Sequence, residues 1–455
     1  MKNTVRCLVG LVFPVVFATS IFAGESAYVK STNTYKRIKA EIDKIRVVDT
    51  HEHLRGEPGY LNHGPKDFFD LVGDYYNASD KRYLDPDLPV ELRWQSFEPV
   101  YKTLKNRNYI WSLRTGIKKI YDIEITDAQS IKKINEAMKK QHTPGIYTRI
   151  LHDIGKMDYV MVHARWKDGL PKKDYPDFFR GGRVIDKMIV FDDIEDTYKF
   201  AGHYGVEIRC INDLEEIYKK FVDESVRNGA VGFKYSGAYL RDLDFSNPNK
   251  EKAEAVLQKM LRNSEAKFSW AGGKMSLDEA RDLSTYLMHA MLRQIEKSKL
   301  PLAVHTGPVS MGGAGDVRRS NPQLLIPLFK QYPNINFDLY HSGFPYVTEF
   351  VELGKSWPNV YLNMCWSQNL SPTMARQQLS EMLECVPVNK ILAYGGDSRV
   401  LENAIGDLEI AKENCAVVLT EKVLNGCFTE ADAIQYAQRI LRTNAIELYK
   451  LDAAR

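Results

Sequence analysis

The sequence predicts a (β/α)8 barrel, an α/β fold whose parallel sheet closes on itself in TIM-like fashion. Two observations predict it. Eight short apolar runs recur along the chain, most of them followed by a helical pattern, and histidines or an aspartate stand just past several of those runs. A third observation sets the class. The chain has 455 residues, 44% of them hydrophobic and 27% charged, which is enough to bury a large core and excludes a disordered chain.

In order, the runs are Arg46–Asp49, Asp158–Val162, Met188–Phe191, Val231–Lys234, Leu302–Val304, Ile335–Tyr340, Val360–Met364 and Ile391–Tyr394. Near-continuous apolar runs suit parallel strands covered on both faces. Alternation with helices implies βαβ units, and eight such units favour a closed barrel over an open sheet. Among the helices, Ser276 and Glu279 form a capping-box pattern, followed by apolar Leu283, Leu287, Met291 and Ile295. Thr429 and Asp432 begin a C-terminal helical tail in the same way.

Two stretches exceed plain connections. Residues 55–156 follow the first run, are rich in aromatics such as Phe68, Phe69, Tyr75, Tyr76, Trp94 and Trp111, and turn helical from Ser130 to Lys140. Residues 237–274 follow the fourth run. Both leave from strand C-termini, the barrel end where active sites sit. They are expected to form a lid over the mouth, the plainer reading being packing decoration.

The N-terminus reads as an address. Lys2 and Arg6 precede an apolar stretch from Cys7 to Ala23, so residues 1–23 are expected to be a signal peptide cleaved before Gly24. Its short length and Pro14 argue against a retained membrane anchor. The expected location is periplasmic or secreted, with residues 24–455 as the mature barrel. Five cysteines remain, with no C-x-x-C pair, and buried free thiols are expected for most. A formal net charge of +3 without a basic stripe gives no sign of a nucleic-acid partner.

The chemistry lies at the ends of the runs. Val47-Val48-Asp49-Thr50 leads into His51-Glu52-His53, and alternation along a strand puts both imidazoles on one side, within reach of one metal. His305 follows Ala303-Val304, His341 follows Leu339-Tyr340, and Asp397 follows Tyr394-Gly395-Gly396. Any one histidine could be a satisfied core residue. Imidazoles and a carboxylate gathered at one rim instead form a ligand set for Zn, Mn, Fe or Co.

These segments resemble the amidohydrolase superfamily, and within it the amidohydrolase-related (type 2) branch. The resemblance rests on DTHEHL at 49–54, VHTG at 304–307, HSGFP at 341–345, YGGD at 394–397 and ILRTNAIELYKL at 440–451. It implies one divalent metal, Zn foremost, held by His51, His53, His305 and Asp397, with His341 polarising the substrate. It leaves open whether Lys234 bridges a second metal as a carboxylated lysine or stays a charge-paired or substrate-facing amine. A divalent metal lowers the pKa of a bound water from about 15.7 toward about 7. Asp397 could then relay the proton as catalytic base, and His341 could stabilise charge on a substrate oxygen. Asp49 either orients His51 from behind or only ends the strand.

Arg399, Arg55 and Arg165 stand near strand ends, where guanidinium groups suit a substrate carboxylate; surface ion pairs are the plainer reading. The glycine-rich segment 311–315 lacks the Lys-Ser/Thr of a phosphate cradle. The expected activity is metal-dependent hydrolysis of a C–N or C–O bond in a small, carboxylated substrate. Asp397-Ser398-Arg399, the insertion after the first strand and the chain length are also similar to uronate isomerases, so aldose–ketose isomerisation or decarboxylation on the same site is the alternative. A binding protein that lost catalysis is the third reading. The oligomeric state is left open, a homo-oligomer included.

Overall fold

The computed structural model describes residues 21–73, 80–165, 167–170, 173–190, 194–262, 278–309 and 315–452. Most of the expected signal peptide, Tyr75, Tyr76, Ser276 and the segment 310–314 fall outside them. Among the described residues no helix is long and apolar enough to cross a membrane.

Eight parallel strands form one sheet in sequence order. They are β1 (Val47–Glu52), β2 (Met157–Ala164), β3 (Phe179–Val184), β4 (Phe233–Tyr235), β5 (Leu302–His305), β6 (Phe337–Tyr340), β7 (Val360–Asn363) and β8 (Ile391–Leu392). The chain leaving β8 returns to β1: Asp397 N–H donates to His51 O at 2.8 Å and His53 N–H to Ser398 O at 2.9 Å. The molecule is therefore a (β/α)8 barrel. Its main core lies between strands and outer helices, where Val47, Val160, Phe233, Leu302 and Leu362 are buried together. A smaller core fills the barrel floor, where Val48, Met161, Val231 and Leu392 meet Leu448 and Tyr449 from the C-terminal helix Asn444–Tyr449.

Seven of the eight predicted strands fall where expected; the third does not. Met188 and Ile189 are buried but lie on the short helix Asp186–Ile189, so their apolar signal belongs to a helix packed on the barrel. The strand is Phe179-Arg180-Gly181-Gly182-Arg183-Val184, which no apolar pattern marks. It is buried because the Arg180 guanidinium stacks 4.6 Å over the Tyr159 ring and donates to backbone carbonyls of Asp177 and Phe179.

Residues 55–156 hold the helices Glu57–His63, Phe68–Val72, Val90–Leu104, Asn108–Tyr121 and Ala128–Gln141. They have a core of their own, built on Phe68, Phe69, Trp94, Phe97, Ile131 and Ile134. Asn108–Tyr121 packs on Leu401–Leu424, the helix after β8, at a crossing made of glycines. A Cβ at Gly116 would overlap the Glu402 carbonyl, and one at Gly406 the Ser112 carbonyl. Tyr121 OH donates to Glu402 Oε1 at 2.6 Å, and the Trp366 indole donates to Tyr109 OH at 2.7 Å. The insertion is thus fastened to the β7 and β8 ends of the barrel.

The C-terminal helix Glu430–Gln438 opens on the Thr429–Asp432 capping box. On Arg281–Ser298, Leu283, Leu287, Met291 and Ile295 all face the core. The five described cysteines are free; Cys365 and Cys415 are buried, Cys385 and Cys427 are exposed and Cys210 is intermediate, so burial holds for fewer of them than expected.

Candidate metal centre at the barrel mouth

β1 reaches the rim through an irregularity. Its pairing with β2 shifts register between Asp49 and Glu52. Val48 and Thr50 face the barrel interior, where Thr50 Oγ1 donates to Tyr394 O at 2.8 Å. Strict alternation would send His51 outward. The shift instead keeps His51 on the interior side after Thr50, and His53 follows it. Asp49 and Glu52 turn to the opposite side. Asp49 Oδ1 accepts from the backbone N–H of His51 at 3.1 Å and of Gly396 at 3.2 Å, and Glu52 Oε2 accepts from Ser398 N–H at 2.6 Å. Asp49 therefore fixes the backbone and does not touch the His51 ring. A Cβ on Gly396 would overlap Glu52 Oε1, so the glycine lets the β8 end close on β1. Burial lifts Asp49 to about 6; burial and the Asp49 charge lift Glu52 well above the carboxylate range.

His51, His53 and Asp397 come together. One ligand atom from each lies within 4.8 Å of the others, the one such group among the described residues. His51 Nε2 is 3.1 Å and His53 Nε2 2.9 Å from Asp397 Oδ1. That oxygen is buried and yet has no partner in hydrogen-bonding geometry. A buried carboxylate oxygen flanked by two imidazole nitrogens that do not satisfy it fits a cation between them. His53 is half exposed, which leaves the point open to the mouth. Asp397 sits at φ 55°, a left-handed conformation that aspartate tolerates. Burial pushes Asp397 upward, but His51 and His53 outweigh it and hold the carboxyl well below its usual range. Burial lowers His51 to about 4 and His305 to about 3, so both are neutral and able to donate a lone pair at pH 7.

His305 and His341 stand beside this trio, ring centroids 4.2 Å apart. His305 Nε2 is 2.7 Å from Pro308 O, a contact that requires a proton on Nε2 and leaves the Nδ1 lone pair free. His341, at φ 71°, keeps Nδ1 at 3.2 Å from the Cys365 sulfur and 3.3 Å from the Cys365 carbonyl, and its ring centroid is 5.6 Å from that of Trp366. Burial raises the Cys365 thiol well above its usual value, so it remains S–H.

Lys234 lies below, buried, its Nζ 3.9 Å from the centre of the Tyr340 ring and without a hydrogen-bond partner. Burial lowers it to about 8. The three arginines differ. Arg165 is ion-paired with Asp168 at 2.9 Å and Arg55 is exposed beyond β1. Arg399 is exposed beside Asp397, and both charges act on the Tyr239 hydroxyl. Sequence reasoning passed over Tyr239, Cys365 and Trp366, which carry no pattern of their own. It also passed over His163, although Val160-Met161-Val162-His163 repeats the signal that marks His305. A separate cavity of about 1450 Å³ opens at the opposite end of the barrel, lined by Asp158, Arg180, Val231 and Tyr449. Barrel chemistry sits at strand C-termini, so the trio and not this cavity marks the candidate site.

The chain belongs to the amidohydrolase family, whose model matches residues 143–451 and so spans β2 to β8. It is 28% identical over 249 residues to the fluG protein of Emericella nidulans, covering 52% of this chain and 27% of that one. The chain thus spans about a quarter of the length of that relative. Among solved structures it is similar to a uronate isomerase from Thermotoga maritima (TM-score 0.76, 15% identity, 94% of this chain and 100% of that one). A glucuronate isomerase from Caulobacter crescentus is also similar (TM-score 0.73, 14% identity, 92% and 94%). At these identities the likeness is one of fold.

Proposed function

We propose that this protein is a metal-dependent hydrolase that cleaves a C–N or C–O bond in a small carboxylated molecule. The unsatisfied Asp397 Oδ1 between His51 Nε2 and His53 Nε2 carries the reading. His51, His53 and Asp397 would hold one divalent ion, with His305 adding its free Nδ1; the mixed nitrogen and oxygen set suits zinc, with Mn, Fe or Co as alternatives. Such an ion acidifies water and polarises a substrate oxygen.

The residues around it divide the remaining work. Asp397, kept ionised by its histidines, accepts a proton from water and passes it to the leaving group. His341 has Nδ1 3.2 Å from the Cys365 sulfur and 3.3 Å from the Cys365 carbonyl; in the tautomer whose Nδ1 accepts the thiol proton it would present Nε2–H to the substrate oxygen as charge develops there. Arg399, exposed on the rim beside Asp397, pairs with a substrate carboxylate. Trp366, held by Tyr109 of the insertion, walls off water on the His341 side.

Uronate isomerisation is the second reading, favoured by Asp397-Ser398-Arg399 at the rim. The two are separated by proton NMR of metal-loaded protein incubated with glucuronate, galacturonate, lactones and acyl amides. Ring opening or amide cleavage, with uronates untouched, is the expected result. Ketose signals from a uronate would overturn the hydrolase reading.

A further inference from the structure

His163, one residue before the end of β2, lies directly behind His51. The two Nδ1 atoms are 3.1 Å apart and the ring centroids 5.1 Å apart. A neutral imidazole carries one proton on two nitrogens, so an Nδ1–Nδ1 contact is a hydrogen bond only when one ring is protonated there and the other is bare. At the far edge of the same His51 ring, Nε2 faces Asp397 Oδ1 and the point where the trio converges. The state of Nδ1 therefore decides what Nε2 can offer.

If His163 donates from Nδ1, His51 must carry its proton on Nε2, and that N–H faces Asp397 with no lone pair for a cation. If His163 accepts at Nδ1, His51 keeps its proton on Nδ1 and the Nε2 lone pair is free. His163 then carries its own proton on Nε2, a buried atom with no partner. The ring is seated in that orientation by a missing side chain: a Cβ at Gly182 would stand 2.5 Å from His163 Cδ2 and 2.9 Å from Nε2. The unpartnered N–H has a cost, which a cation taken up by His51 would offset.

We propose that His163 is the positioning residue that sets the tautomer of His51, accepting Nδ1–H so that the Nε2 lone pair is delivered to a divalent cation. The inference rests on the metal reading above and adds to it a second-layer histidine from β2, outside the trio.

The test compares zinc binding to the full chain as wild type, His163→Phe and His163→Gln, by competition with a chromophoric chelator, with long-range proton–nitrogen NMR on histidine-labelled wild type. Phenylalanine fills the space and accepts nothing; the glutamine oxygen can accept. The expected results are a zinc affinity about 10- to 100-fold weaker in His163→Phe, substantial recovery in His163→Gln, and, in zinc-loaded wild type, protons on His51 Nδ1 and His163 Nε2. Equal affinity in folded His163→Phe and wild type would overturn the proposal while leaving the metal reading intact. A proton on His163 Nδ1 in the loaded wild type would overturn it too, even where His163→Phe does not fold. A wild type that binds no zinc, manganese, iron or cobalt would overturn both.

Discussion

Asp397 meets three demands at once: its inner oxygen is buried, its carboxyl is ionised and that oxygen is unsatisfied. Asparagine tolerates the same left-handed backbone, so Asp397→Asn should keep the fold and lose the charge. Turnover on the substrate that the NMR panel identifies should fall by about 10²- to 10⁴-fold, with an unchanged circular dichroism spectrum. Undiminished turnover would remove Asp397 from the chemistry. Asp407 offers a pH test away from the trio. Burial lifts it to about 7, while Asn369 Nδ2 donates to it at 3.0 Å. Between the unfolded value near 4 and about 7 the folded chain binds more protons than the unfolded one, so this group makes stability fall as pH rises, by at most about 1.4 kcal/mol per pH unit. Asp407→Asn removes that slope: its stability relative to wild type, read by denaturant unfolding, should improve from pH 4 to pH 8. A difference that stays flat would contradict the assignment. At this scale the sequence was legible where a histidine or aspartate follows an apolar run. Cys365 and Tyr239 were not, because only the fold brings them to His341 and His305.

Among elements, the insertion's hold on the barrel depends on one helix crossing. Gly116 and Gly406 let Asn108–Tyr121 and Leu401–Leu424 approach backbone to backbone, with the Tyr121–Glu402 and Trp366–Tyr109 hydrogen bonds alongside. Gly116→Ala should force the helices apart and cost about 1–3 kcal/mol in thermal or denaturant unfolding. Because Trp366 also meets His341, KM should rise as well. An alanine variant with wild-type stability would mean that the crossing yields freely. Element boundaries follow the same physics. Strands β1 and β5 to β8 announce themselves through short apolar runs, covered on both faces. β3 stays hidden, since its glycines make room for His163 and its Arg180 is buried by stacking and carbonyl contacts, features that no periodicity encodes. The register shift in β1 is equally silent in sequence, although it decides that His51 and His53 follow Thr50 inward.

The whole molecule is a barrel whose floor is sealed by its C-terminus. Tyr449 OH donates to Asp338 Oδ2 at 2.5 Å, and Asn363 and Tyr340 complete a buried polar layer beneath the site. Closure at β8–β1 through Asp397 and Ser398 makes the candidate ligands part of the seam itself. A cation held at that seam would bind the native state alone, so added zinc should raise the melting temperature, increasingly with concentration. Barrel class, and the histidines and aspartate gathered at its rim, were legible because alternation and strand-end histidines are one-dimensional patterns. The arrangement of the rim was not, because it depends on close approaches at Gly116, Gly182 and Gly396 that only three dimensions reveal. Metal content of zinc-equilibrated, gel-filtered wild type beside His51→Ala/His53→Ala tests whether the seam is a metal site. About one ion per wild-type chain is expected, with a near-empty double variant that keeps its helical spectrum. Equal metal in both, or none in either, would contradict it.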